Sequence, residues 1–222
     1  ADSPSDTSQR PVDQPVSPEV EDARAWVQDS PDDPYAHLAL GLALLDNNQV
    51  TPAYEELAMA ADLAGDDIDF YFEAGFNLMD REAWAGAAAV FMRALQVVPP
   101  SNPDAPALAD LFHENIYRAA VQPEMPNFLP FDQIGRIDEP MMRVAEARHT
   151  FYQGDPADAW RMLEELNQLK PGMPEARLLE AEMNMRARNG DEARTQLENL
   201  LNDENTPEWI FIIAEDYLNK LP

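Results

Sequence analysis

Residues 31–64 read PDDPYAHLALGLALLDNNQVTPAYEELAMAADLA, and residues 65–98 read GDDIDFYFEAGFNLMDREAWAGAAAVFMRALQVV. Laid over one another, the two stretches agree at chosen places. Pro31, Gly65 and Pro99 stand 34 apart (65 − 31 and 99 − 65). So do Gly41 and Gly75, Ala53 and Ala87, Leu57 and Phe91, and Ala60 and Ala94. After one slip the same interval returns in Pro140/Pro174, Ala159/Ala193 and Leu163/Leu197. A fixed period of this size marks a stack of supersecondary units, none of which buries its apolar face alone.

Each period spells two helices. Leu38, Leu42 and Leu45 mark one face of a helix over 34–46, and Asp46-Asn47-Asn48 breaks it. Thr51-Pro52 reads as an N-cap with proline in the first turn of a second helix over 51–64. The next unit repeats this over 68–80 and 83–97. These two units resemble the tetratricopeptide repeat. The family places a small residue at the tight crossing of each helix pair, here Gly41 and Gly75. It places alanine, a bulky apolar residue and alanine along the second helix, here Ala53-Leu57-Ala60 and Ala87-Phe91-Ala94, with Pro99 as the closing proline. Helices approach to ~8–10 Å only where side chains at the crossing are small. The resemblance implies an all-α, right-handed α-solenoid of helix-turn-helix repeats that works through protein–protein contacts.

Outward from this pair the pattern weakens. Residues 1–18 are Pro, Ser, Asp and Gln with almost no large apolar group, and read as a disordered tail. The solenoid spans 19–222, in units of about 19–33, 34–67, 68–101, 102–139, 140–173 and 174–207. The unit 102–139 is irregular. A helix over 104–121 takes its first-helix place, but residues 122–140 hold four prolines, Pro140 the last of them, which excludes a regular second helix. Two further units follow, with Ala147 and Ala181 in place of the crossing glycine. A capping helix over 208–220 closes the stack, with Phe211, Ala214 and Leu218 expected to face the core.

Charge is the second strong statement. Asp and Glu number 42 against 15 Lys and Arg, a formal net charge of −27, and Lys170 and Lys220 are the only lysines. Such a field repels phosphate backbones, which argues against nucleic acid and anionic membrane surfaces as partners. Basic proteins, cationic peptides or a high-salt environment fit it. No apolar run approaches the ~20 residues of a membrane span, so direct membrane insertion is not expected. The chain has no cysteine, which excludes disulfides, thiolate metal sites and a cysteine nucleophile. With the Pro/Ser-rich start, this leans towards an extracytoplasmic, periplasmic or exported location, with the cytoplasm left open.

Catalysis has little support. His37, His113 and His149 fall in different units without a ligand partner at helical spacing, and no metal or cofactor is expected. Asp66-Asp67-Ile68-Asp69 lacks the glycine and terminal glutamate of a calcium loop and reads as charge at a helix start. The chain reads as a non-enzymatic scaffold.

The resemblance also implies a concave face lined by the first helix of each unit. Carried over, that gives Tyr35, Leu38, Leu42 and Leu45, then Asp69, Phe72, Phe76 and Met79. Later units give Met141, Val144, Arg148 and Phe151, then Glu175, Leu178, Glu182 and Met185. A face this apolar in its first half suits a docked peptide or protein segment, unless neighbouring repeats or the chain itself cover it. Phe128 and Phe131, in the apolar stretch 127–131, are candidates for such a cover or for an apolar plug offered to a partner. The expected partner is a protein or peptide, and a basic one suits the acidic surface. The alternative is an obligate structural subunit of an envelope or extracellular assembly.

Overall fold

A computed structural model describes residues 17–122 and 140–221 of the chain. The tail and the stretch holding Phe128 and Phe131 lie outside the described residues. Among those described are eleven helices and no strand: α1 (Pro18–Asp29), α2 (Pro34–Asp46), α3 (Val50–Ala64), α4 (Ile68–Asp80), α5 (Trp84–Val97), α6 (Ala105–Ala119), α7 (Pro140–Tyr152), α8 (Pro156–Leu169), α9 (Pro174–Arg186), α10 (Gly190–Leu201) and α11 (Glu208–Lys220). They pair in sequence as α2 with α3, α4 with α5, α7 with α8 and α9 with α10. This is an α-solenoid of helical repeats.

Local chemistry sets the helix starts. Ser17, Asp33, Asp67 and Asp155 each accept a backbone N–H of the first turn, from Val20, Tyr35, Phe70 and Asp158 at 3.4, 3.0, 3.2 and 3.1 Å. Each such cap is worth ~1 kcal/mol. The expected start of α3 is corrected: the helix begins at Val50, and Thr51 lies inside it. Pro52 is tolerated there because the N–H it lacks is one with no intrahelical acceptor.

The turn within every pair is three residues long and carries one left-handed residue. These are Asn48 (φ 56°), Glu82 (φ 57°), Gly154 (φ 99°) and Arg188 (φ 63°). Asn48 and Glu82 are 34 apart, as are Gly154 and Arg188. Only one of the four is glycine, so the repeat imposes this geometry on side chains that ordinarily avoid it.

Close crossings follow the two glycines. A Cβ added to Gly41 would lie 2.8 Å from Leu57 Cγ, and one added to Gly75 would fall closer still to the Phe91 ring. Each glycine thus faces the bulky second-helix residue of its own unit. A single core runs from Leu38 in α2 to Ala214 in α11, and a satellite of Val20, Ala23, Leu40, Leu44 and Ala53 seats α1. Helix α5 is buried at every residue from Ala85 to Met92. Its alanines and Gly86, which lies against Tyr54 of α3, give neighbours room on all sides.

The capping helix differs from expectation. Helix α11 does close on α6, α9 and α10, but Trp209, Ile210 and Ala214 make the buried face. Phe211 is 41% exposed and Leu218 is half-buried. The helix is rotated so that two large residues at its first turn, Trp209 and Ile210, enter the core together.

Candidate functional site

The expected residues lie on the first helices α2, α4, α7 and α9, and their surroundings differ between the first two and the last two. In the first half α2 and α4 supply apolar side chains. Leu38 and Leu42 are buried, at 2% and 9% exposure, so they act as packing rather than as contact surface. Tyr35 is half-buried, stands edge-on to Phe70 at 5.6 Å and donates its hydroxyl to Asp67 at 3.2 Å. Burial and Asp67 raise the pKa of that hydroxyl. Leu45 is half-buried at the end of α2.

The open part of the face is on α4. Phe72 packs on Phe112 of α6 at 5.2 Å and lies parallel to Phe76 at 6.3 Å. Phe76 stands edge-on to Phe91 at 5.5 Å, and 40% of it remains exposed. One turn on, Met79 lines a cleft of about 460 Å³ with Trp84, Tyr117, Arg148, Ile213 and Tyr217. At the other end of α4, Phe72 lines a cleft of about 410 Å³ with Ile68, Leu108 and the carboxylates of Asp66, Asp67, Asp69 and Asp104. The stripe Asp69-Phe72-Phe76-Met79 therefore connects two openings.

The second half is closed by charge. Arg148 of α7 is only 6% exposed, which corrects its expected role as a partner-facing cation. Its Nε donates to Glu182 Oε2 at 2.9 Å and its Nη2 to Glu182 Oε1 at 3.1 Å. Its Nη1 donates to the Tyr117 carbonyl, and the guanidinium lies over the Tyr117 ring at 3.9 Å. Glu182 also accepts the hydroxyls of Tyr117, at 2.9 Å, and Tyr152. Burial pushes the Glu182 pKa up, but the Arg148 charge and these hydrogen bonds outweigh it and hold the carboxyl below its ordinary value. A second buried carboxylate, Glu175, accepts His113 Nδ1 at 2.6 Å; there too burial is overcome, and the pKa is lowered. Phe151 is half-buried, edge-on to Tyr152 at 5.8 Å.

Tyr117, Tyr152 and Trp209 were not singled out by the sequence reading. A signal was present: Arg148 and Glu182 are opposite charges at equivalent groove positions of successive units. The histidines are packing groups. His37 bridges Glu56 (2.6 Å) and the Pro31 carbonyl (2.9 Å), and His149 meets the Ala120 carbonyl at 3.1 Å. A further cleft, about 640 Å³, lies along α8 at Trp160 and Arg161. Arg161 is already paired there with Asp158 and Glu165.

The tetratricopeptide repeat family model matches residues 151–210, from the end of α7 to the start of α11. No curated protein and no solved structure matches the chain. The match falls on the second half; the glycine-bearing units of the first half lie outside it and show helix pairing and close crossings of their own. Repeats of this kind generally mediate protein–protein interactions, and their all-helical fold is typically non-catalytic. The match and the all-helical architecture agree: residues 151–210 are similar to tetratricopeptide repeats, within an α-solenoid of helical repeats.

Proposed function

We propose that this chain is a non-enzymatic scaffold that docks a peptide or protein segment on the apolar stripe of α4. The observation that supports this is the exposed Phe76, flanked by half-buried Phe72 and Met79 on the open half of the concave face. An aromatic left 40% accessible beside two clefts offers an anchor surface. The formal charge of −27 favours a basic partner and speeds its encounter. An exported location belongs to the same reading and rests on the absence of cysteine.

The test is capture from the native organism's envelope and soluble fractions by wild type and by Phe76→Glu. A protein held by wild type and released by the variant supports docking on α4. A protein held equally by both moves the interface elsewhere and overturns the reading.

A second reading, an obligate structural subunit, draws on the exposed Phe211 and Ile212 of α11. It predicts self-association or aggregation of the isolated chain through that helix. A stable monomer at high micromolar concentration is the outcome against it.

A further inference from the structure

The cleft at the start of α4 is apolar at its floor and acidic at its rim. Ile68, Phe72 and Leu108 form the floor, and Asp66, Asp69 and Asp104 stand around it. Asp67 has structural tasks, capping α4 and accepting the Tyr35 hydroxyl. The other three carboxylates have no hydrogen-bond or ion-pair partner among the described residues. The arginines nearest in sequence are committed elsewhere: Arg81 to Asp46, Arg93 to Asp62 and Arg118 to Glu114. Like charges gathered over an apolar floor repel one another, and the favourable way to answer them is a cation from outside. A lysine or arginine suits such a cleft because its stem is apolar and its head is charged.

The spacing to the neighbouring anchor is set by the helix. Asp69 and Phe76 are seven residues apart on α4, ~10 Å along its axis at ~1.5 Å per residue. An extended chain covers ~10 Å in about three residues. We propose that the docked segment is extended and carries a lysine or arginine about three positions from a large apolar side chain. The cation sits among Asp66, Asp69 and Asp104, and the apolar group lies on Phe76. This rests on the reading that α4 docks a segment, and adds the chemistry and spacing of what it docks.

The test uses the full chain and fluorescent Gly/Ser-based 12-residue peptides holding Arg and Leu at a spacing of three, in either order. Control peptides place the same two residues eight apart, or replace Arg by Glu. The proteins are wild type, Phe76→Ser and the triple variant Asp66→Asn/Asp69→Asn/Asp104→Asn, each checked for unchanged helicity. Wild type should bind one order at least tenfold more tightly than either control. The triple variant should lose that preference and its salt dependence, and Phe76→Ser should lose binding. Equal affinity for the spacing-eight peptide would mean diffuse attraction to an acidic protein, and overturns the proposal. Loss with Phe76→Ser but not with the triple variant overturns the cation site and leaves docking on α4 standing. Binding untouched by Phe76→Ser overturns both.

Discussion

Arg148 and Glu182 occupy the same place in successive repeats, 34 residues apart, and their buried side chains meet at 2.9 Å. In the earlier units that place holds Leu42 and Phe76. One position of the repeat thus provides packing, a partly exposed phenyl ring and a buried ion pair in turn. The pair gathers α6, α7 and α9 through Tyr117 and Tyr152.

Removing one member of this pair strands the other's charge. Glu182→Leu should destabilise the protein by about 3–5 kcal/mol, because a lone buried guanidinium retains its desolvation cost. The double variant Arg148→Met/Glu182→Leu should recover most of that loss. Urea unfolding of the four proteins gives the coupling energy. Simple additivity of the two single losses would show that the pair is not the organising contact.

Acid should undo the same contacts. Glu182 and Glu175 are held below the ordinary glutamate value in the folded state, so the unfolded chain binds protons first as pH falls. Their stabilisation is complete above the unfolded value of about 4.3 and is lost as pH drops through the lower folded values. Acid also relieves the repulsion of a −27 chain, which acts in the opposite sense on every variant. The informative quantity is therefore the difference between wild type and Glu182→Gln. Wild type should lose its advantage in Tm between about pH 5 and 3, and a constant gap would contradict this.

Gly75→Ala should cost about 1–3 kcal/mol, since its Cβ would enter the space of the Phe91 ring. Adding Phe91→Leu to Gly75→Ala should restore part of the loss, because Gly41 already faces Leu57 in the preceding unit. Thermal melts of the two variants decide the matter. A harmless Gly75→Ala would mean that the helices can part at no cost.

The left-handed turn residues offer the reverse case. Glu82→Gly and Arg188→Gly should each stabilise by about 0.5–1 kcal/mol, the relief of positive φ exceeding the added freedom of the unfolded chain. Gly154→Ala, at φ 99°, should destabilise by a similar or larger amount. Chemical denaturation midpoints at fixed slope measure all three.

Most helices were legible because their determinants are local. Asp33, Asp67 and Asp155 announce starts through caps that reach two or three residues, and the alternation of apolar positions needs only one helix to be read. The boundaries of α2 and α4 agree with the reading to the residue. The start of α3 and the face of α11 did not follow. At α3 two adjacent residues compete for the first turn, and at α11 several apolar residues compete for one buried stripe, with only the neighbours to choose between them.

The candidate site divides along the same line. Asp69, Phe72, Phe76 and Met79 share a helix face by their spacing alone, so their alignment is a property of α4. Which of the carried-over positions stays open is not. Leu42, Phe76, Arg148 and Glu182 are equivalent by register, and their burial depends on how closely α6, α7, α9 and α11 draw together. The 34-residue interval, the crossing glycines and the acidity belong to the sequence by itself, since each arises from residue type and short-range geometry. The closure of the second half belongs to the tertiary structure. It is made by contacts between residues 30 to 65 positions apart, such as Glu182 with Tyr152 and Tyr117 with Glu182, and no local rule sets whether such side chains meet each other or water.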